Sequence, residues 1–330
     1  MPALDFLPPS CAGSTPLLYW WKRKGEKRVG TSRSKLILMV GVLGISASAI
    51  LVRFSQAPSG VLAVYRLGWT VLLLLPVVLL RYRAELKRVT GRDVLLCAAS
   101  GVCLAVHFLA WFESLRLTSV SVSTVLVSTE VIFTALGFAL FLRGRIPRLG
   151  VAAILLAFGG SAVLALSGGA EAGALSGNLL ALAAAVASAL YTLIGRVQRG
   201  HLSTAVYTFL TYLACFVTLV VLTAGSGTPL VGWGARELFM GLALAVLCTL
   251  LGHSLFSWCL KYLSPSYVSA AKLCEPVFST LAAIPLFHEV PTPLQLIGGV
   301  VVLGSVLLYT RAERPETVDK PSSQRIRREE

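Results

Sequence analysis

Two carboxylates, Glu130 and Glu275, lie inside apolar stretches that are each long enough to cross a lipid bilayer. The segments around them, residues 115–134 and 260–279, align without a gap at an offset of 145 residues. Burying an ion in hydrocarbon costs about 2.5–3.5 kcal/mol on insertion scales, so ionisable residues inside the membrane are candidates for function. The chemistry that these two offer is the uptake and release of a proton or the binding of a cation.

Six more side chains within the apolar stretches are candidates for the same substrate or proton pathway. They are Arg66, His107, Trp111, Tyr191, His253 and Lys272. Lys272 precedes Glu275 by three residues, on the same helix face, and we expect it to neutralise that carboxylate. Pro276 cannot donate to the carbonyl of Lys272, so we also expect a free carbonyl and a kink there. Glu130 has no such neighbours and is therefore the leading candidate for a proton site.

A structural interpretation stands beside the functional one for each candidate. Glu130 could be a salt-bridged carboxyl that fixes helix packing, and the two histidines could bond carbonyls of neighbouring helices. Arg66 could extend to the membrane interface or pair with Glu113. Glu113 could instead pair with Arg116, three residues later at the helix end. The aromatic candidates could line a cavity or belong to an interfacial belt.

The composition indicates an all-α membrane protein. Of the 330 residues, 56% are hydrophobic and 13% are charged, which is more apolar surface than a soluble chain can bury. Since a spanning helix needs about 20 residues, the apolar runs predict ten transmembrane helices, spans 1 to 10. They lie near 36–53, 61–80, 94–114, 119–142, 149–167, 177–195, 204–224, 238–260, 266–287 and 294–310.

Basic residues gather at alternate ends of these spans. One set of ends holds the cluster between Lys22 and Lys35, the residues from Arg81 to Arg92, and the tail from Arg311 to Arg328, whereas the other set holds only Arg53, Arg116 and Arg236. This positive-inside bias predicts that both termini are cytoplasmic. It also accounts for the net charge of +14 without a nucleic-acid partner.

Five spans per half is an odd number, so the second half begins on the opposite side of the membrane. We therefore predict two inverted five-helix repeats with substrate bound between them. The expected organisation is a basic N-terminal segment, a first repeat, an external linker, a second repeat and a cytoplasmic tail. These occupy residues 1–35, 36–167, 168–176, 177–310 and 311–330.

Several function classes lack their motifs. The chain has no phosphate-binding loop of the G-x-x-x-x-G-K-[ST] type and no H-E-x-x-H or G-x-S-x-G sequence. The seven cysteines are scattered without a Cys-x-x-Cys pair, so neither a zinc site nor a disulfide framework is indicated. We expect no enzyme activity, no metal and no cofactor.

Local strings in both halves resemble EamA-type members of the drug/metabolite transporter superfamily. In the first half these are Arg53-Phe54-Ser55 with Pro58 and Arg66, and residues 107–115 leading into Thr118-Ser119-Val120. In the second half they are Gly252-His253-Ser254, Cys274-Glu275-Pro276-Val277, His288-Glu289, Gln295 and Gly298. The resemblance covers about residues 36–311 and implies an inner-membrane permease with a central cavity. Two departures are Thr129-Glu130-Val131, where the family usually has proline, and Arg143-Gly144-Arg145, where a Gly-Glu pair usually ends span 4.

The sequence therefore predicts a secondary transporter, in the leading version an exporter of amino acids or related or toxic compounds. Its partners are a small-molecule substrate and the lipid bilayer, and a homodimer is left open. Proton exchange at Glu130 is the leading coupling hypothesis. Two alternatives are a sensor or scaffold that transports nothing and a membrane enzyme that acts on lipid carriers.

Overall fold

The computed structural model describes residues 31–142, 147–166, 174–263, 265, 268, 271, 272 and 274–312. These residues form helices joined by short turns. Most of the predicted N-terminal segment 1–35, most of the tail 311–330 and much of the linker 168–176 lie outside the described residues.

The helices group into ten apolar spans in chain order. They are span 1 (α1 Thr31–Ser46 and α2 Ser48–Phe54), span 2 (α3 Ser59–Arg81), the short connecting helix α4 (Arg83–Leu86), span 3 (α5 Gly91–Leu117), span 4 (α6 Val120–Ser128 and α7 Glu130–Leu142), span 5 (α8 Arg148–Leu166), span 6 (α9 Ala174–Gln198), span 7 (α10 Thr204–Gly225), span 8 (α11 Gly234–Ala243, a π-helical segment Leu244–His253 and α12 Ser254–Cys259), span 9 (α13 Cys274–Phe287) and span 10 (α14 Pro293–Ala312).

The ten predicted spans are all present. Seven are long and apolar enough to cross a membrane, and the three apolar helices of spans 5, 9 and 10 are shorter within the described residues. Large apolar side chains such as Leu80, Leu140 and Val300 lie exposed on their outer faces. In a bilayer these faces meet lipid, so an exposed leucine carries no penalty there.

Local sequence signals set several helix ends. Span 3 begins with a capping box, in which Thr90 and Asp93 each accept a hydrogen bond from the other's backbone N–H. Ser119 and Ser203 cap spans 4 and 7 in the same position, by accepting from the backbone N–H three residues later. The turn between spans 3 and 4 is tight, because one helix ends at Leu117 and the next begins at Val120.

Among the described residues, spans 1, 4 and 8 are interrupted. Span 1 breaks at Ala47, span 4 breaks at Thr129, and the middle of span 8 is π-helical. These breaks were not predicted from the sequence. The break in span 4 places Glu130 in the first turn of α7, and Glu275 likewise lies in the first turn of α13. Both carboxylates therefore lie at helix N-termini, where the helix dipole favours negative charge.

Several of the main contacts between the two halves keep their pattern when the halves are exchanged. Spans 2 and 7, 4 and 9, and 5 and 10 contact their own counterparts. Span 1 packs on span 8 as span 6 packs on span 3, and span 1 packs on span 9 as span 6 packs on span 4. The architecture is therefore a duplicated five-helix unit, and equivalent helices from both halves bound its centre.

Glycines allow the closest of these helix contacts. A Cβ atom on Gly101 of span 3 would lie 2.5 Å from the carbonyl oxygen of Thr211 in span 7. A Cβ atom on Gly44 of span 1 would lie 2.7 Å from the carbonyl oxygen of Leu247 in span 8. Small residues at such crossings let helix backbones approach in a membrane.

Candidate functional site

A small cavity lies at the interface of the two halves. Its walls come from spans 1 to 4 and spans 6, 8 and 9, and include seven of the eight candidates predicted from the sequence: Arg66, His107, Trp111, Glu130, His253, Lys272 and Glu275. It offers about 30 Å³ to the centres of water-sized molecules, which is room for about two waters. An organic substrate could enter only if the surrounding helices moved apart.

Glu130 and Lys272 form an ion pair that joins the two halves across this cavity. Lys272 Nζ lies 2.9 Å from Oε1 and 3.0 Å from Oε2 of Glu130. Ser188 donates to Oε2 at 2.7 Å, and Thr192, one turn further along span 6, donates to Oε1 at 3.0 Å. Among the described residues, three side chains from the second half of the chain therefore bond the Glu130 carboxylate.

Two expectations about these charges are wrong. Lys272 binds Glu130, and the carboxylate of its predicted partner Glu275 forms no hydrogen bond among the described residues. Glu130 consequently has a cationic partner, which sequence neighbours alone could not show. The carbonyl of Lys272 is not free either, because it accepts the backbone N–H of Glu275 at 2.9 Å.

Arg66 is fully buried beside the cavity. Its Nε donates to Thr249 at 2.7 Å and its Nη1 donates to Ser48 at 3.2 Å. Its guanidinium carbon lies 4.1 Å from the centre of the Phe108 ring, a cation–π contact. Arg66 was expected to reach the membrane interface or to pair with Glu113. It does neither.

The two histidines lie together, with ring centres 6.3 Å apart. His107 Nδ1 lies 3.0 Å from the carbonyl oxygen of Ala184, which agrees with the structural interpretation for this residue. The Trp111 ring stacks on His107 at 5.9 Å. Tyr191 does not line the cavity. Its hydroxyl is 3.0 Å from Ser257 Oγ, and its ring meets His253 edge-on at 6.2 Å.

A polar network crosses the bundle at the end where span 3 finishes. Arg53 donates to Glu289 Oε1 at 2.5 Å and to the carbonyl of Leu115 at 2.7 Å. Glu289 Oε2 also accepts the backbone N–H of Val120 at 2.7 Å. One ion pair thus ties the end of span 1 to span 3, span 4 and the turn between spans 9 and 10.

The same end carries a second set of bonds. Ser59 donates to Glu113 at 2.8 Å and accepts from Arg116 Nε at 2.9 Å, so this hydroxyl connects the two residues that were expected to pair directly. Glu237 of span 8 accepts from Ser55 at 2.5 Å and from the backbone N–H of Gln56.

The opposite end has its own network. His201 Nε2 lies 2.7 Å from Asp93 Oδ1. Arg196 donates to the carbonyls of Leu260 and Leu263, past the end of span 8. Polar contacts therefore join the helices at both ends of the bundle, with the cavity between them.

Sequence reasoning missed the residues that hold the candidates in place. Ser188 and Thr192 are four residues apart on one helix face, a spacing that could have indicated a shared polar partner. Ser48, Thr249 and the Arg53–Glu289 pair were not predicted to act together, because the contacts join residues far apart in the chain.

Comparisons with known proteins agree with this architecture. The model of the EamA-like transporter family matches residues 32–166 and 175–311. An uncharacterized transporter of Clostridium kluyveri is 23% identical over 260 residues, which cover 76% of this chain and 83% of that protein. A solved crystal structure of a protein superposes with a TM-score of 0.63 at 19% identity, covering 86% of this chain and 99% of the other.

The two segments that the family model matches span most of the chain, one on each five-span half. The chain therefore belongs to the EamA-like transporter family and is a multi-pass membrane protein. This is a family of transporters and not of enzymes. The likeness to the solved structure supports the shared fold alone.

Proposed function

We propose that this protein is a secondary transporter that exports small organic metabolites, such as amino acids or related or toxic compounds, across the inner membrane by alternating access. The observation that carries the proposal is the Glu130–Lys272 ion pair, because it joins the two halves through the cavity between them. A substrate or proton that weakens this ion pair on binding would also weaken the contact between the two halves. A transporter needs such a link between occupancy and conformation.

Proton exchange at Glu130 fits this arrangement. A protonated Glu130 loses its attraction for Lys272, and Lys272 lies only one turn before a second carboxylate, Glu275. Lys272 could then pair with either carboxylate, which gives the site two discrete charge arrangements. In the proposed cycle, one arrangement is adopted when the cavity faces the cytoplasm and the other when it faces outward.

The orientation in the membrane is part of the proposal. The excess of Lys and Arg at alternate span ends supports cytoplasmic termini. The end with the Asp93–His201 pair would then be cytoplasmic, and the end with the Arg53–Glu289 pair would be external.

Transport in proteoliposomes tests the function directly. Uptake and efflux of labelled amino acids and other metabolites would be measured with and without a pH gradient, for the natural protein, for Glu130→Gln and for Glu85→Gln. Glu85 does not line the cavity and is the matched control. We expect the gradient to drive transport in the natural protein and the control but not in Glu130→Gln.

A gradient-insensitive natural protein together with a fully active Glu130→Gln variant would refute the proton role. Absence of flux for every compound would instead favour the sensor or scaffold that transports nothing.

A further inference from the structure

Three buried polar groups around the cavity have atoms without a hydrogen-bond partner among the described residues. They are Nη2 of Arg66, Nε1 of Trp111 and Nδ1 of His253. Their residues are 0%, 4% and 7% exposed. An unpaired polar group in such surroundings costs free energy, so three at one cavity suggest that a ligand completes their bonding.

The three residues belong to one contiguous group. Arg66 lies against the Phe108 ring at 4.1 Å, and Phe108 lies edge-on to His253 with ring centres 5.4 Å apart. Trp111 stacks on His107, which in turn contacts His253. All three unpaired residues line the same cavity.

Their chemistry restricts the ligand. A guanidinium and an indole can only donate hydrogen bonds, and a neutral histidine donates from whichever ring nitrogen carries the proton. A matching group must therefore accept hydrogen bonds. Because Arg66 is permanently charged, an anionic acceptor is favoured over a neutral one.

The other charges of the cavity leave Arg66 available for such a group. Lys272 is already bonded to both oxygens of Glu130. Glu275 lines the same cavity but gives Arg66 no hydrogen bond among the described residues. With these four groups ionised, the two positive and two negative charges cancel, so the cavity does not repel an anion through its net charge.

We propose that Arg66, Trp111 and His253 form an oxyanion subsite that binds the carboxylate or phosphate group of the transported substrate. This inference rests on the proposed transport function and names the substrate group that its cavity recognises. Transport would require the cavity to widen around the rest of the molecule, since about 30 Å³ accommodates little more than the oxyanion itself.

The test uses pairs of compounds that differ only in the oxyanion. The full chain in detergent is titrated with phenylalanine and phenylalaninamide, and with glycerol 3-phosphate and glycerol, while thermal stability and dissociation constants are measured. We expect stabilisation by at least one oxyanion-bearing member and none by its neutral or cationic counterpart. The carboxylate and phosphate pairs distinguish the two sources of the oxyanion.

Trp111→Phe removes one donor and keeps an aromatic ring. We expect it to weaken binding of the effective acid about tenfold or more, because a hydrogen bond to a charged group is lost. Trp258→Phe is the matched control, since Trp258 lies outside the cavity, and it should bind as the natural protein does. Arg66→Lys should also weaken binding. If Arg66→Lys fails to fold, Trp111→Phe alone tests the subsite.

Equal binding of acid and amide, unchanged affinity in Trp111→Phe, or no binding by any oxyanion-bearing probe would overturn the subsite. The transport proposal fails separately. Flux of compounds that have no oxyanion would leave transport intact and remove only the subsite, whereas no flux of any compound would remove the function.

Discussion

Lys272 of the second repeat bonds to both carboxylate oxygens of Glu130 in the first, at 2.9 and 3.0 Å. The nearer carboxylate in the sequence, Glu275, is left without a hydrogen bond among the described residues. The side chains of the pair are only 11% and 5% exposed. Such a pair resists disruption, because removal of one partner leaves the other charged and buried.

The energetic coupling of this pair can be measured with the variants Glu130→Gln and Lys272→Gln and the double variant. Breaking a buried pair typically costs about 3–5 kcal/mol. We expect Lys272→Gln to cost more than Glu130→Gln, because it leaves two carboxylates at one cavity, whereas a released Lys272 can turn to Glu275. The free energy of unfolding is measured in detergent for all three variants. The double variant should lose less of it than the sum of the losses in the two single variants. Strict additivity would contradict the pairing.

The Arg53–Glu289 pair should hold its end of the bundle closed. Glu289→Gln removes the charge that holds Arg53 and also weakens the acceptor for the Val120 backbone N–H. The probe is a cysteine introduced at Ser128, a cavity residue. We expect this cysteine to react faster with a membrane-impermeant maleimide added outside when the Glu289→Gln change is present than when it is absent. His201→Gln breaks the pair at the opposite end and serves as the control. An equal increase in both variants would contradict a role specific to this end.

The membrane orientation predicts the behaviour of reporter fusions. Alkaline phosphatase is active only outside the cytoplasm, so we expect an inactive fusion after residue 312 and an active fusion at residue 171, within the linker between repeats. A green fluorescent reporter at residue 312 should be bright, because it folds in the cytoplasm. The reverse pattern at both positions would contradict the proposed orientation.

The contact between spans 3 and 7 depends on the absence of a side chain at Gly101. In Gly101→Ala the new Cβ would lie 2.5 Å from the Thr211 carbonyl oxygen and 2.8 Å from the Cys215 backbone nitrogen. Overpacking of this kind costs about 1–3 kcal/mol, so the melting temperature in detergent should fall.

Gly159→Ala provides the matched control for that variant. Its Cβ would meet nothing within 4 Å, and alanine is the better helix former by about 1 kcal/mol. We expect its melting temperature to hold or rise. Equal losses in the two variants would show that the helix crossing is not responsible.

The spans and most of the cavity lining could be predicted because they depend on local patterns. A run of about 20 apolar residues specifies a span, and an ionisable residue inside one specifies a buried polar site. The ionisable residues of the cavity lining that were found in this way are Arg66, His107, Glu130, His253, Lys272 and Glu275. Tyr191 was included on its residue type alone, and its hydroxyl bonds Ser257 outside the cavity.

The pairing of charges could not be predicted, because it depends on which helices pack together. Lys272 and Glu275 lie one turn apart in sequence, yet the packing of the halves brings Lys272 to Glu130, 142 residues away. The break at Thr129 also has no proline or glycine to mark it. Local propensity is a weak guide where tertiary contacts decide the backbone.

The π-helical segment Leu244–His253 gives span 8 a geometry that its counterpart, the continuous α-helix Gly91–Leu117 of span 3, does not have. A π turn closes its hydrogen bond over five residues, whereas an α turn closes it over four. Thr249, the acceptor for Arg66, lies inside this segment. The partner that holds Arg66 therefore lies on a stretch of span 8 whose geometry span 3 does not repeat, so the two halves are similar in packing but not equivalent at the cavity.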